Sequence, residues 1–120
     1  MLLSHMANHD PDLSLIFQAL SDPTRRAMLA ALGKGALPVS ALARPTGLSL
    51  PTVLRHLEVL EAAALISTTK SGRSRLCAAR PETLSAPADW LAAQRVLWEA
   101  RADRLEAYVA TLMQEKPRDS

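Results

Sequence analysis

The stretch Ser49-Leu50-Pro51-Thr52-Val53-Leu54-Arg55-His56-Leu57-Glu58-Val59-Leu60 constrains this chain more than any other. A serine that can cap a helix is followed by a proline within the first turn, where a missing N–H costs nothing. Val53, Leu57 and Leu60 recur at helical spacing and share one face. The other face carries Ser49, Thr52, Arg55 and His56, hydroxyls and cationic or hydrogen-bonding tips of the kind that meet base edges in a groove of DNA. Taken alone, an ordinary amphipathic surface helix would look the same, so the weight falls on what flanks it.

A chain of 120 residues supports a single domain with one modest core. Hydrophobic residues at 48% against charged residues at 22% predict a folded chain. Aromatics at 3% leave the core to Leu, Ala and Val, which suits helices rather than a sandwich. The net charge of +2 is small but unevenly placed. Between residues 44 and 80 six cations (Arg44, Arg55, Lys70, Arg73, Arg75, Arg80) face two carboxylates (Glu58, Glu61), whereas residues 81–120 are net acidic. Positive charge therefore gathers around the amphipathic stretch, as expected of a nucleic-acid face. Cys77 is the single cysteine and cannot form an internal disulfide, which predicts a cytoplasmic setting. No apolar run approaches the ~18 residues of a membrane span. The opening Met1-Leu2-Leu3-Ser4-His5-Met6 is too short and polar for a secretion signal.

In chain order, residues 1–11 are expected to form a loose arm. Asp12 can cap a helix to about Leu20, with Leu13, Ile16, Phe17 and Leu20 on one face. Asp22-Pro23 starts a second helix to about Leu32, with Ala27, Met28 and Leu32 inward, closed by a left-handed residue in Gly33-Lys34-Gly35. A short third helix runs from Val39 to about Arg44, with Ser40 as its candidate cap and Leu42 inward. Pro45-Thr46-Gly47-Leu48 makes a tight turn into the helix from Leu50 to about Ala63. Two helices joined by a short Gly-containing turn form a helix-turn-helix, whose second helix is the reader. Residues 65–70 and 74–79 then read as a β-hairpin around Ser71-Gly72, with Lys70, Arg73 and Arg75 at and beside its tip. Pro87 sets the last helix to begin at about Ala88 and run to Gln114. Trp90, Leu91, Gln94, Leu97, Trp98, Arg101, Leu105, Tyr108, Val109 and Leu112 fall along one stripe of it. The fold class expected is mainly α with a small β-hairpin: a winged helix-turn-helix of five helices and a two-stranded wing.

Several segments also resemble a known family. Phe17 to Arg26, with Ala19-Leu20-Ser21-Asp22-Pro23-Thr24-Arg25-Arg26 at its centre, is similar to the "ALSDPTRR" opening of ArsR-type bacterial transcriptional repressors. Leu48 to Leu60 resembles their "S-x-P-x-V-S-x-H-L-x-V-L" recognition segment. Ala63-Ala64-Leu65-Ile66 and Gly72-Arg73-Ser74-Arg75 resemble the "AGLV" and "GRxR" that lead into and tip the wing. The resemblance covers roughly residues 13–113 and implies a homodimer that binds an imperfectly palindromic operator in double-stranded DNA and represses transcription. It assigns DNA contact to Ser49, Thr52, Arg55, His56, Arg73 and Arg75. Their chemistry agrees: hydroxyls at a helix N-terminus for phosphate or base edges, Arg55 for guanine or phosphate, wing arginines for phosphates or the minor groove. Arg25 and Arg26 are further candidates for the DNA backbone, or for pairing with a carboxylate; the alternative for His56 is a structural hydrogen bond that ties the reader to its neighbour. The departure is Leu54, where relatives keep a serine; a leucine can touch a thymine methyl.

Many relatives hold metals through a Cys pair on the third helix, in a pattern like "E-L-C-V-C-D-L". The corresponding Leu37-Pro38-Val39-Ser40-Ala41-Leu42-Ala43 has no thiolate, imidazole or carboxylate, so that site is absent. Asp89 and Asp103 lie on the last helix, but no histidine follows His56, and His5 and His9 are too sparse to form a site. No metal, cofactor or enzyme activity is expected: there is no Gly-rich phosphate loop and no nucleophile–base pair. Cys77 is expected as a buried or half-buried wing residue. The sequence thus predicts a DNA-binding and dimerisation domain over 12–114, pairing through its first and last helices, with a short tail at 115–120. A winged helix that has lost DNA and binds a partner protein is the rival reading, and whether a small-molecule effector exists is open.

Overall fold

The computed structural model describes residues 12–115. The expected arm, His5 and His9, and the tail beyond Glu115 lie outside the described residues. Contacts divide the chain after Pro87 into a body and a second unit formed by the long last helix.

Three of the four helices of the body start where a side chain can satisfy an orphan backbone donor. Helix α1, Leu13–Leu20, is capped by Asp12, which accepts from the Leu15 N–H at 3.1 Å. Helix α2, Pro23–Leu32, is capped by Asp22, which accepts from the Arg25 N–H at 3.0 Å, with Pro23 in the first position. Helix α4, Leu50–Ala62, is capped by Ser49, with Pro51 in its first turn. The exception is α3, Val39–Ala43, whose cap is Pro38 and makes no side-chain bond. Ser40, the expected cap, lies inside that helix and is exposed. The turn expected at residues 45–48 begins one residue earlier, as a 3₁₀ segment over Arg44–Thr46. Gly47 follows with φ +68°, a left-handed conformation that reverses the chain before Ser49 at little steric cost. After α2, Gly33 stays helical and the positive φ falls on Gly35.

The sheet has three strands, not the expected two. Strands β2, Ile66–Ser71, and β3, Ser74–Ala79, form the hairpin, and β1, Leu37–Pro38, pairs antiparallel with the other side of β3. Leu37 lies opposite Cys77 and Pro38 opposite Leu76, so the root of the wing is held on both sides. A two-residue strand ending in proline carries no alternation that a sequence pattern could reveal.

Ile16, Val53, Leu60, Leu65 and Ile66 are fully buried, and Ala19, Met28, Leu32, Leu42, Leu57 and Ala63 pack with them. Burying each large aliphatic side chain is worth about 1.5–3 kcal/mol. This core joins α1, α2 and α4 to one another and to the sheet. Two expected core members differ: Phe17 is 37% exposed and Ala27 is exposed. The short side chain of Ala19, rather than Phe17, takes the inward position next to Ile16.

The C-terminal end of α4 closes through a Schellman motif. Leu65 N–H donates to the Leu60 carbonyl at 3.0 Å and Ala64 N–H to the Glu61 carbonyl at 2.9 Å. Ala64 is therefore left-handed at φ +61°, the one non-glycine residue with positive φ among the described residues. Its carbonyl accepts the hydroxyl of Thr83, the one buried polar side chain found there.

Helix α5, Ser85–Glu115, starts three residues before the expected Ala88. Pro87 sits in its first turn, where backbone N–H groups have no intrahelical acceptor and a proline is tolerated. Along this helix the large apolar side chains are exposed, Trp98 at 70% and Leu97 at 61%. No helix among the described residues is long and apolar enough to cross a membrane.

Candidate nucleic-acid interface

Helix α4 turns Val53, Leu57 and Leu60 into the core, which leaves Pro51, Arg55, Glu58 and Ala62 facing outward. One edge of this outward face meets α2 and the other meets the wing. On the α2 edge lies His56, half-buried, with its Nδ1 3.2 Å from Nη1 of Arg25. On the wing edge lie Leu54, 39% exposed, and Glu61, whose carboxylate accepts from the Thr68 hydroxyl at 3.0 Å. Thr68 Oγ1 in turn accepts from Nη1 of Arg75 at 3.1 Å. A continuous chain Arg75–Thr68–Glu61 thus ties the wing to the reading helix.

Ser49 and Thr52 sit together at the N-terminus of α4, their hydroxyls 2.9 Å apart, with Ser49 Oγ also accepting from the Thr52 N–H. Ser49 is exposed and Thr52 half-buried. Arg55 is fully outward and makes no hydrogen bond or ion pair among the described residues, which leaves its guanidinium available to a ligand. Glu58, one turn further on, is also outward. Its carboxylate can accept from a cytosine amino group and repels phosphate, so it limits what this face can meet.

The hairpin connects Ser71 to Ser74 through Gly72 and Arg73. Gly72 has φ +61° and Arg73 a negative φ, the arrangement of a type II′ turn, which demands glycine at its first central position. That turn puts Arg73 at the apex, exposed and without an ion pair, flanked by exposed Lys70 and Arg75. Between wing and α4 is a notch of about 380 Å³ lined by Leu50, Leu54, Arg73, Arg75 and the start of α3. Leu54 therefore forms part of an apolar floor between two arginines.

Arg25 does not reach outward. Its Nε donates to the Ala19 carbonyl at 2.7 Å and its Nη2 to the Gln18 carbonyl at 2.9 Å, while Nη1 faces His56. Arg26 likewise donates to the Leu20 carbonyl at 2.8 Å. Both side chains satisfy the exposed carbonyls at the end of α1, and neither pairs with a carboxylate. The sequence marked Arg25 and Arg26 only as candidates for the DNA backbone or an ion pair. Their true partners are carbonyls six or seven residues back, which no local pattern signals.

Two ionisable groups nearby are displaced from their ordinary values. The Arg25 N–H holds the Asp22 carboxyl below the usual range; burial opposes it, and the Arg25 charge adds to the lowering. Cys77 is fully buried at the wing root, and burial, then the charge of Glu61, push its thiol up. It is a packed thiol rather than a reactive thiolate. No group of three or more His, Cys, Asp and Glu able to hold a metal occurs among the described residues.

Known proteins share this fold. Residues 20–69 match a family of helix-turn-helix domains. An ArsR family transcriptional regulator of known structure is 48% identical, with a TM-score of 0.70 over 72% of this chain and 96% of that one. The chain belongs to the ArsR family. HTH-type transcriptional regulator Rv2034 of Mycobacterium tuberculosis is 41% identical over 58% of this chain. Transcriptional repressor SdpR of Bacillus subtilis is 36% identical over 48% of it. This ArsR-family chain covers 65% and 64% of those two proteins' lengths, just under two thirds. A homodimeric winged helix-turn-helix DNA-binding domain from Mycobacterium bovis shares the fold, at 23% identity and a TM-score of 0.57 over 70% of this chain and 81% of that one.

Proposed function

We propose that this chain is a homodimeric transcriptional repressor that binds a palindromic operator in double-stranded DNA, upstream of its own or a neighbouring operon. The observation that carries the reading is the outward face of α4. It is braced on one edge by Arg25 and on the other by the wing, and presents Ser49, Thr52, Leu54, Arg55 and His56 beside a hairpin tipped by Arg73. In this reading α4 lies in the major groove, with Thr52, Arg55 and His56 toward base edges. Ser49 and the α4 N-terminus take a phosphate, and Lys70, Arg73 and Arg75 take phosphates or the minor groove. Leu54 contributes apolar contact to a thymine methyl.

The dimer joins through α1 and α5. Support comes from the exposed Trp98, Leu97, Leu105, Tyr108 and Leu112 of α5 and from Leu15 on α1, a quantity of apolar surface that a monomer rarely leaves in water. The homodimeric winged-helix relative supports a dimer, and the repressor SdpR supports repression. Two-fold symmetry then sets two reading helices about 34 Å apart, one turn of DNA. The protein works in the cytoplasm and needs no metal or cofactor for this binding.

The test is footprinting and gel-shift across the region upstream of its gene, with sedimentation to read the oligomeric state. A protected site with two-fold symmetry, bound by a dimer, is the expected result. No shift with any fragment at low salt would overturn it and favour a protein-binding winged helix, for which exposed Leu50 and Leu54 would be the docking points.

A further inference from the structure

The Arg25 side chain spends all three guanidinium nitrogens within the body, two on the carbonyls that end α1 and one on His56. A guanidinium donates and never accepts. The His56 Nδ1 opposite it must therefore be the acceptor, which leaves the ring proton on Nε2. A proton on Nδ1, in the other neutral tautomer or in the imidazolium, would set donor against donor at 3.2 Å. Nε2 itself makes no hydrogen bond among the described residues, and it is not buried, since no buried side-chain nitrogen there lacks a partner. The ring thus offers one free donor on the edge of the reading face.

We propose that Arg25 is a positioning residue for DNA recognition: it holds His56 in the Nε2–H tautomer, so that this edge of α4 reads an acceptor on a base, such as guanine N7 or O6, and does not itself touch DNA. The proposal rests on the DNA-binding reading above. An imidazole free to change tautomer would present a donor or an acceptor and would discriminate poorly between purines. Arg25 also fixes the ring's orientation relative to α1, because the same planar fork grips the Ala19 and Gln18 carbonyls. A lysine has one point of attachment and cannot do both.

Two measurements test it on the full-length protein. Long-range proton–nitrogen NMR of the free wild type should show His56 in the Nε2–H form alone, and Arg25→Ala should give a tautomer mixture. Detection of substantial Nδ1–H form in the wild type would overturn the proposal. The second is a double-mutant cycle using a duplex recovered from a random library by the wild-type protein and a shuffled duplex as control. Arg25→Ala should weaken the selected duplex about tenfold and the shuffled one less than twofold, the loss expected of one base contact. His56→Ala removes the ring that Arg25 holds, so within a His56→Ala background the Arg25→Ala increment should fall below about twofold. An equal loss on both duplexes would make Arg25 a phosphate contact. An unchanged increment in the His56→Ala background would make it a purely structural cap; either result overturns the proposal while leaving DNA binding intact. If selection enriches no sequence at all, the DNA-binding reading fails and takes this one with it.

Discussion

Removing the arginine at the wing apex isolates one electrostatic contact with little structural cost. Arg73 sits at the second central position of the type II′ turn, exposed and with no ion pair among the described residues. Arg73→Ala should therefore leave the unfolding temperature unchanged. In the proposed dimer it deletes two phosphate contacts, one per wing. Each contributes about 0.9 to the slope of log affinity against log salt, so the slope should flatten by about 1.8. Between 50 and 200 mM salt the wild type should then lose about 12-fold more affinity than the variant. Fluorescence anisotropy with a labelled promoter duplex, titrated at four salt concentrations, reads this directly. A random duplex should give the same flattening, because phosphates carry no sequence. Unchanged slopes on both duplexes would refute the reasoning, and a loss confined to one sequence would move Arg73 from backbone to base contact.

Four further outcomes follow from the geometry. Leu54→Ser should change the preferred sequence in a selection experiment and leave the salt slope as it is, because it alters the apolar floor of the notch and no charge. Ala64→Gly should raise stability by about 0.5–1 kcal/mol in denaturant unfolding, since a left-handed alanine is strained by more than glycine's extra chain entropy costs. Thr83→Val should lower it by about 1–3 kcal/mol, because the shape is kept while the Ala64 carbonyl loses its donor. The Asp22 carboxyl is held below its ordinary value, so its stabilisation is complete above the usual carboxylate range and is lost as pH falls through the lowered value. Thermal unfolding of Asp22→Asn, which keeps a cap without the charge, should show a shallower acid limb than the wild type.

Much of the body is legible because its helix starts are written locally. Asp12, Asp22-Pro23 and Ser49 with Pro51 mark three helix starts correctly, and Gly72 marks the hairpin turn. The errors share a cause, which is the use of a local rule outside its range. Pro87 limits how early the last helix can begin, but that limit applies only after the first turn, and α5 starts at Ser85. Ser40 looked like a cap, yet Leu37–Pro38 is drawn into pairing with β3, so the chain enters α3 at Pro38 instead. Phe17 reads as core by periodicity, but the face that α1 buries is centred on Ile16 and Ala19, which leaves Phe17 at its edge. The brace on His56 was half legible. A tie to a neighbour is an alternative the sequence leaves open, but the partner lies thirty-one residues away and is set by packing of α2 against α4 rather than by spacing.

The third strand gives the wing a mechanical character. From Leu76 inward, β3 is clamped between two strands, and beyond it the hairpin is a free arm about 10 Å long, by the rise of a strand, ending at Arg73. A force applied at that tip bends the arm about a pivot at Leu76 and Cys77, and the reaction passes into Leu37–Pro38. Pro38 is at once the last residue of β1 and the cap of α3. Load carried by the wing is therefore shared between the start of the helix that precedes the reader and, through Thr68 and Glu61, the reader itself, so grip at the tip and tilt of the helix-turn-helix are two ends of one lever.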